Sequence, residues 1–163
     1  MNTGLEWLDK AYSYIGEREI KGAKHNPLIL RMWDAIKSSW FKDDETPWCA
    51  GFVGLCLEES GIKSTRSASA LSYEKFGVKL DRPAVGCIVT FKRSGGGHVG
   101  FVVGKDRYGN LMVLGGNQGD MVSIKPFSTG RVTSYRWPSV YPAEHRFDLP
   151  IINSDGRVST NEA

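Results

Sequence analysis

Three cysteines (Cys49, Cys56, Cys87) and three histidines (His25, His98, His145) are the residues of this 163-residue chain best suited to nucleophilic or metal chemistry. The stretch TPWCAGFVGLCLEESG, residues 46–61, sets two thiols seven residues apart, so on a helix both lie on one stripe. They could pair, bind a metal, or include one working nucleophile. An odd number of cysteines with no C-x-x-C argues against a disulfide framework and a zinc knuckle, and the histidines show no H-x-H or H-E-x-x-H spacing. Neither a metal nor a cofactor is expected. A helix collects unpaired N–H groups and positive dipole at its first turn, so a thiol there ionises more readily than one two turns deeper. With Thr46 as N-cap and Pro47 at N1, Cys49 falls at N3. There a thiol pKa can drop from about 8.5 to roughly 3.5–7.5. Cys56 and Cys87 read as small buried hydrophobes.

A thiolate of this kind needs a base. The stretch SGGGHVGFVVG places His98 at the start of a strand behind three glycines, bare backbone that lets a substrate or a facing helix come close. If Gly104 and Leu111 face each other across the turn-rich loop Lys105–Asn110, the residue numbers of facing pairs keep one sum, and His98 falls opposite Asn117. Opposed Cβ atoms lie about 4.5–5.5 Å apart, near enough for the Asn117 amide oxygen to accept from the imidazole and fix its tautomer. The same register sets Gly100 against Gly115, a bare patch for the Cys49 helix end, and leaves Val99, Phe101, Val103, Met112 and Leu114 as a core face. A slip of one residue would separate His98 from Asn117. Nucleophile, base and orienter in this order suit acyl transfer through a thioester, with the Cys49 N–H as one oxyanion donor. His25 and His145 read as exposed and weaker candidates.

The elements that must carry these residues follow from periodicity. Thr3-Gly-Leu-Glu6 is a capping box, with Leu5, Leu8, Tyr12 and Ile15 on one face of a helix ending near Gly16. Asn26-Pro27 caps a second helix to about Ser38, the Cys49 helix closes at Gly61, and a short fourth one spans Ser67–Phe76. After Pro83 the period becomes strand-like in GCIVTFKR, GHVGFVVGKD, LMVLGGNQ, MVSIKPF and RVTSYRWP. The fold class is α+β, N-terminal helices packed on a C-terminal antiparallel β-sheet. Residues 1–147 read as a single catalytic domain and 148–163 as a flexible C-terminal tail.

Composition excludes several partners. At 40% hydrophobic the chain can bury one sizeable core, and 21 basic against 18 acidic residues, scattered, fall short of a nucleic-acid footprint. There is no apolar run long enough for a membrane span, and the N-terminus is amphipathic and acidic, unlike a signal peptide. A monomer made in the cytosol is expected.

The segments DDETPWCAGFVGLCLEESG, GCIVTFKRSGGGHVGFVVG and LMVLGGNQGD resemble the CHAP (cysteine, histidine-dependent amidohydrolase/peptidase) and NlpC-type cell-wall hydrolases, a papain-like superfamily, over about Leu5 to Pro138. They look most like its compact phage or prophage endolysins. The resemblance implies a papain-like fold with the nucleophile at a helix N-terminus, and cleavage of peptidoglycan at the N-acetylmuramoyl–L-alanine amide or within the stem peptide. It carries Cys49 over as nucleophile, His98 as base and Asn117 as third residue. Trp48 then lines the groove or packs. Asp44, in an acidic run that suits the helix dipole, could hold a cationic amine of the stem peptide, and Gln118 could reach the site if the chain bends at Gly119. With no separate wall-binding module or export signal, targeting would fall to the catalytic domain and release to a partner such as a holin. The protein would then wait in the cytoplasm of the host cell and act at the cell wall. The alternatives are a non-catalytic wall-binding or phage structural module of the same fold, and an antibacterial amidase toxin.

Overall fold

A computed structural model describes residues 2–18, 26–37, 48–93 and 95–159. Helices α1 (Glu6–Ser13), α2 (Pro27–Ala35) and α3 (Cys49–Glu58) precede strands β1 (Val78–Leu80), β2 (Ile88–Arg93), β3 (Gly96–Lys105), β4 (Leu111–Gly115), β5 (Ser123–Phe127) and β6 (Val132–Trp137). The strands form one antiparallel sheet in the order β1-β6-β2-β3-β4-β5. This is the expected α+β order. Among the described residues no helix is long and apolar enough to cross a membrane.

α3 is apolar all round, and a helix without a polar face must be covered on every side. Residues 49–57 are all buried, with β3 and β4 on one side and α1 and α2 on the other. Two glycines allow the close approach of α2: a Cβ at Gly51 would stand 3.1 Å from the Trp33 ring, and one at Gly54 would stand 2.2 Å from Ile36 Cγ2. The helix closes as the sequence indicates, with Gly61 at φ +76° and the Ile62 N–H donating to Leu57 O at 2.9 Å. Asn26 caps α2 by accepting the Leu28 N–H at 2.8 Å, with Pro27 at its first position.

Three local expectations differ. The Thr3–Glu6 box does not form, because Asp9, a turn further on, accepts the Thr3 N–H at 2.7 Å while the Thr3 hydroxyl takes the Leu5 N–H at 3.2 Å. α1 stops at Ser13, which leaves Ile15 44% exposed. Residues 67–76 contain a 3-10 turn, Ala70–Lys75, and the three-residue β1, too short to show a period, pairs with β6.

The sheet curls. Phe127 on β5 stacks on Phe91 of β2 with ring centroids 4.8 Å apart, although strands three places apart would lie ~14 Å from each other in a flat sheet. The concave face therefore carries Phe91, His98 and Phe127, while Phe101 on the other face meets Phe52 of α3.

The segment from residue 148 to 159, which composition marks as a loose tail, is tied down by backbone bonds. Lys105 N–H donates to Pro150 O (2.9 Å), Ile152 N–H to Lys105 O (2.8 Å) and Ser159 N–H to Pro126 O (2.7 Å), and Ile152 covers Gly104. Asp106 is the side-chain anchor: its carboxylate accepts from Tyr108 N–H, Asn110 N–H, the Asn110 amide and the Ser154 hydroxyl. Burial alone would push this carboxyl up, but the donors from Ser154, Asn110 and Tyr108 outweigh it and hold the pKa at about 2. A folded-state pKa below the unfolded value of about 3.9 gives stability that is present above that value and lost as pH falls towards 2. Urea midpoints measured from pH 5 to 2 should therefore drop in the wild type, and the drop should be shallower in Asp106→Asn, which cannot take up that proton.

Candidate active site

α3 begins at Cys49 with Trp48 as its N-cap, so the thiol sits at N1, two places earlier than the sequence indicates; Thr46 and Pro47 lie outside the described residues. The N-cap is fully buried. A Cβ added at Gly116 would come within 2.8 Å of the Trp48 ring and 2.6 Å of Phe52 Cβ, so the start of α3 is seated on bare backbone just after β4. Trp48 thus packs into the core and is not a groove wall. At N1 the sulfur meets its own N–H and that of Ala50, and the N–H of Val99 on β3 lies within hydrogen-bonding reach.

On β3 the expected register holds in part. Phe101 faces Leu114 and Val102 faces Val113 as foreseen, but a bulge at Val103 puts Gly104 opposite Met112 and Lys105 opposite Leu111. At the other end the strand does not continue to Asn117. Asn117 stands at φ +59°, in the left-handed region, which breaks the alternation of faces by one residue. Gly119 and Asp120, also at positive φ, form the tip, with the Gln118 N–H donating to Met121 O at 2.9 Å. Gln118 therefore takes the place assigned to Asn117: its Oε1 lies 2.9 Å from His98 Nε2.

The Gln118 amide has one orientation open to it. Its Nε2 donates to Val113 O at 3.1 Å and Ser123 O at 2.9 Å, so its oxygen must face the imidazole. That oxygen can only accept. The neutral His98 ring is consequently the Nε2–H tautomer, with its lone pair on Nδ1. A Cβ at Gly115 would stand 2.3 Å from Gln118 Oε1 and 3.4 Å from His98 Nε2, which explains a glycine there. His98 is fully buried, its ring parallel to Phe127 at 5.2 Å.

Three consecutive residues of β3 gather the site. Gly97 O accepts from Arg93 Nε at 3.0 Å, His98 is the imidazole, and the Val99 N–H reaches the Cys49 sulfur. Nδ1 is bonded to Cγ and is the ring nitrogen nearer the main chain. Burial pushes the Cys49 thiol above its ordinary value, against the lowering effects of the Val99 and Ala50 N–H groups, Arg93 and its own N–H. This corrects the expectation of a depressed pKa: desolvation by the surrounding layers exceeds the helix-terminus effect. Burial drives Cys56 well up as well and Cys87 to about 12, and for neither does a backbone donor from another strand offset it.

Asp44 and His25 lie outside the described residues, and His145 packs edge-on to Tyr141. Among the described residues no group of three or more His, Cys, Asp or Glu could hold a metal. Sequence reasoning passed over Arg93; its signal was its position just before the Ser-Gly-Gly-Gly turn that leads into His98.

Residues 41–117 match the family model described as the CHAP domain, a span that contains Cys49 and His98 and stops one residue short of Gln118. Over that segment the chain is similar to a CHAP domain. Among solved structures it is similar to RipD from Mycobacterium tuberculosis, described as a non-catalytic NlpC/p60 domain protein adapted to a peptidoglycan-binding function, with 16% identity, a TM-score of 0.49 and coverage of 83% of this chain and 95% of that one. No curated protein matches the chain.

The resting thiol can be tested by labelling. Iodoacetamide modification followed by peptide mass mapping should find Cys49 labelled before Cys56 and Cys87, at a rate that climbs with pH and reaches no plateau below about pH 9. A rate independent of pH between 5 and 8 would instead reveal a preformed thiolate–imidazolium pair.

Proposed function

We propose that this chain hydrolyses an amide bond of peptidoglycan through a thioester on Cys49. The observation that carries the reading is the bond between His98 Nε2–H and Gln118 Oε1, which leaves the lone pair on Nδ1, with His98 adjacent on β3 to Val99, whose N–H acts on the thiol at the first position of α3. The CHAP-type match over the nucleophile and base segments supports the substrate class.

Because burial favours the neutral thiol, the proton leaves as the bond forms. His98 Nδ1 takes it while sulfur attacks the carbonyl carbon, and the Cys49 N–H receives the developing oxyanion. The C–N bond then breaks, with the proton passing from Nδ1 to the departing amine. Water next gives a proton to Nδ1 and attacks the thioester, and the sulfur leaves and is reprotonated from His98, releasing the carboxylic acid. Gln118 supplies a neutral acceptor that keeps Nδ1 available in each half-reaction. The bond is the muramoyl–alanine amide or one within the stem peptide. The reading extends to a compact, monomeric endolysin, made in the cytoplasm and let through to the wall by a holin-type partner.

Purified sacculi incubated with the protein should release soluble fragments, and mass spectrometry of the muropeptides will name the bond. Release should vanish in Cys49→Ala, fall about 10²-fold or more in His98→Ala, and persist in Cys56→Ala. Gln118→Leu should lower kcat roughly 10–100-fold, the range seen when a partner orienting a functional histidine is lost. Binding to sacculi without any released fragment in reductant would overturn the catalytic reading in favour of a wall-binding module.

A further inference from the structure

Arg93 ends β2 and faces Gly96 across the turn into β3. Its side chain is half-buried and runs beside bare backbone: Nε donates to Gly97 O at 3.0 Å, and a Cβ built on Gly96 would lie 3.8 Å from Nη2. Nε is thereby committed, while no described residue takes the two terminal nitrogens in a hydrogen bond or an ion pair. A guanidinium presents those two nitrogens as a planar fork matched to a carboxylate. Its anchor is the carbonyl of the residue before His98, and the N–H of the residue after His98 acts on the Cys49 thiol. One residue of a strand advances about 3.3 Å, so the anchoring carbonyl lies about two residues, roughly 7 Å, along β3 from the N–H that acts on the Cys49 sulfur.

Resting on the proposed hydrolysis, we propose that Arg93 determines specificity by binding a free carboxylate of the substrate, carried by a residue flanking the scissile amide. The substrate class is then an acidic peptide, and its amidated counterpart is a poor substrate. A half-buried cation whose terminal donors stay open in the resting site gains most from such a partner, because closing substrate over it removes water that only an anion can replace. Its charge also acts on the Cys49 sulfur, an effect that would help every substrate equally.

The test uses two synthetic stem peptides that differ only in that carboxylate, free in one and amidated in the other. Wild-type kcat/KM should favour the free acid by roughly 10–100-fold, the size expected for a hydrogen bond to a charged group. Arg93→Gln should erase the preference chiefly through KM, and Arg93→Lys should restore part of it. Fluorescence anisotropy with Cys49→Ala should show the same preference in affinity without turnover, so a protein that hydrolyses neither peptide still reports on Arg93. Equal affinity of Cys49→Ala for the two peptides would overturn the proposal, and that measurement leaves Arg93 unaltered. An Arg93→Gln protein that is folded by circular dichroism and slower by one factor on both peptides would overturn it too, and would assign Arg93 to the sulfur alone.

Discussion

The site depends on where the β3–β4 ladder ends. β4 pairs with β3 no further than Leu114 opposite Phe101, so the main chain of Gly97–Val99 is paired on the β2 side only. The edge left by β4 is where α3 brings its first residue, and the Val99 N–H meets a sulfur. Gly116 makes the approach possible by carrying no side chain against Trp48 and Phe52. The turn that ends the ladder, with Asn117 in the left-handed region, is also what returns Gln118 to His98. One interruption of a sheet thus provides both the seat of Cys49 and the partner of His98.

Around that interruption the molecule is rigid for identifiable reasons. α3 is enclosed by two layers, and a helix buried on every side cannot tilt without opening a cavity at one of them. The imidazole is held between a parallel aromatic ring and an amide whose two donors are committed to Val113 and Ser123. The Ser123 hydroxyl in turn donates to Gln118 O, so β5 grips both ends of that residue. Close packing has an electrostatic consequence: the water exclusion that fixes the geometry also raises the thiol pKa. In the proposed hydrolysis, such a thiol gives up its proton during attack.

Much of this was legible in the sequence. That a helix begins near Cys49, with Cys56 deeper along it, was readable although the start falls two residues later than Thr46-Pro47 indicates, and alternation located β2 to β6 closely enough to find the inner β3–β4 pairs. The assumed loop-end pair was off by one, and the bulge at Val103 compensates, so the register is right where it matters. What could not be read was the conformation of Asn117, because Gly116, Asn117, Gly119 and Asp120 all suit a turn and only packing against α3 decides where the chain leaves the strand. The rise in the Cys49 pKa was hidden for a similar reason: dipole arguments use neighbours in sequence, whereas desolvation comes from burial that only the folded chain reveals. The tail was misread because few apolar residues announce it, while its anchors are backbone groups and the buried Asp106.

The proton on His98 is the most direct point of attack on this chemistry. Long-range proton–nitrogen correlation NMR on histidine-labelled protein, near neutral pH, reports which ring nitrogen carries it. A protonated Nε2 with a bare Nδ1, giving way to a tautomer mixture in Gln118→Leu, is the result the geometry requires. A proton resident on Nδ1, or a spectrum unmoved by loss of Gln118, would contradict it.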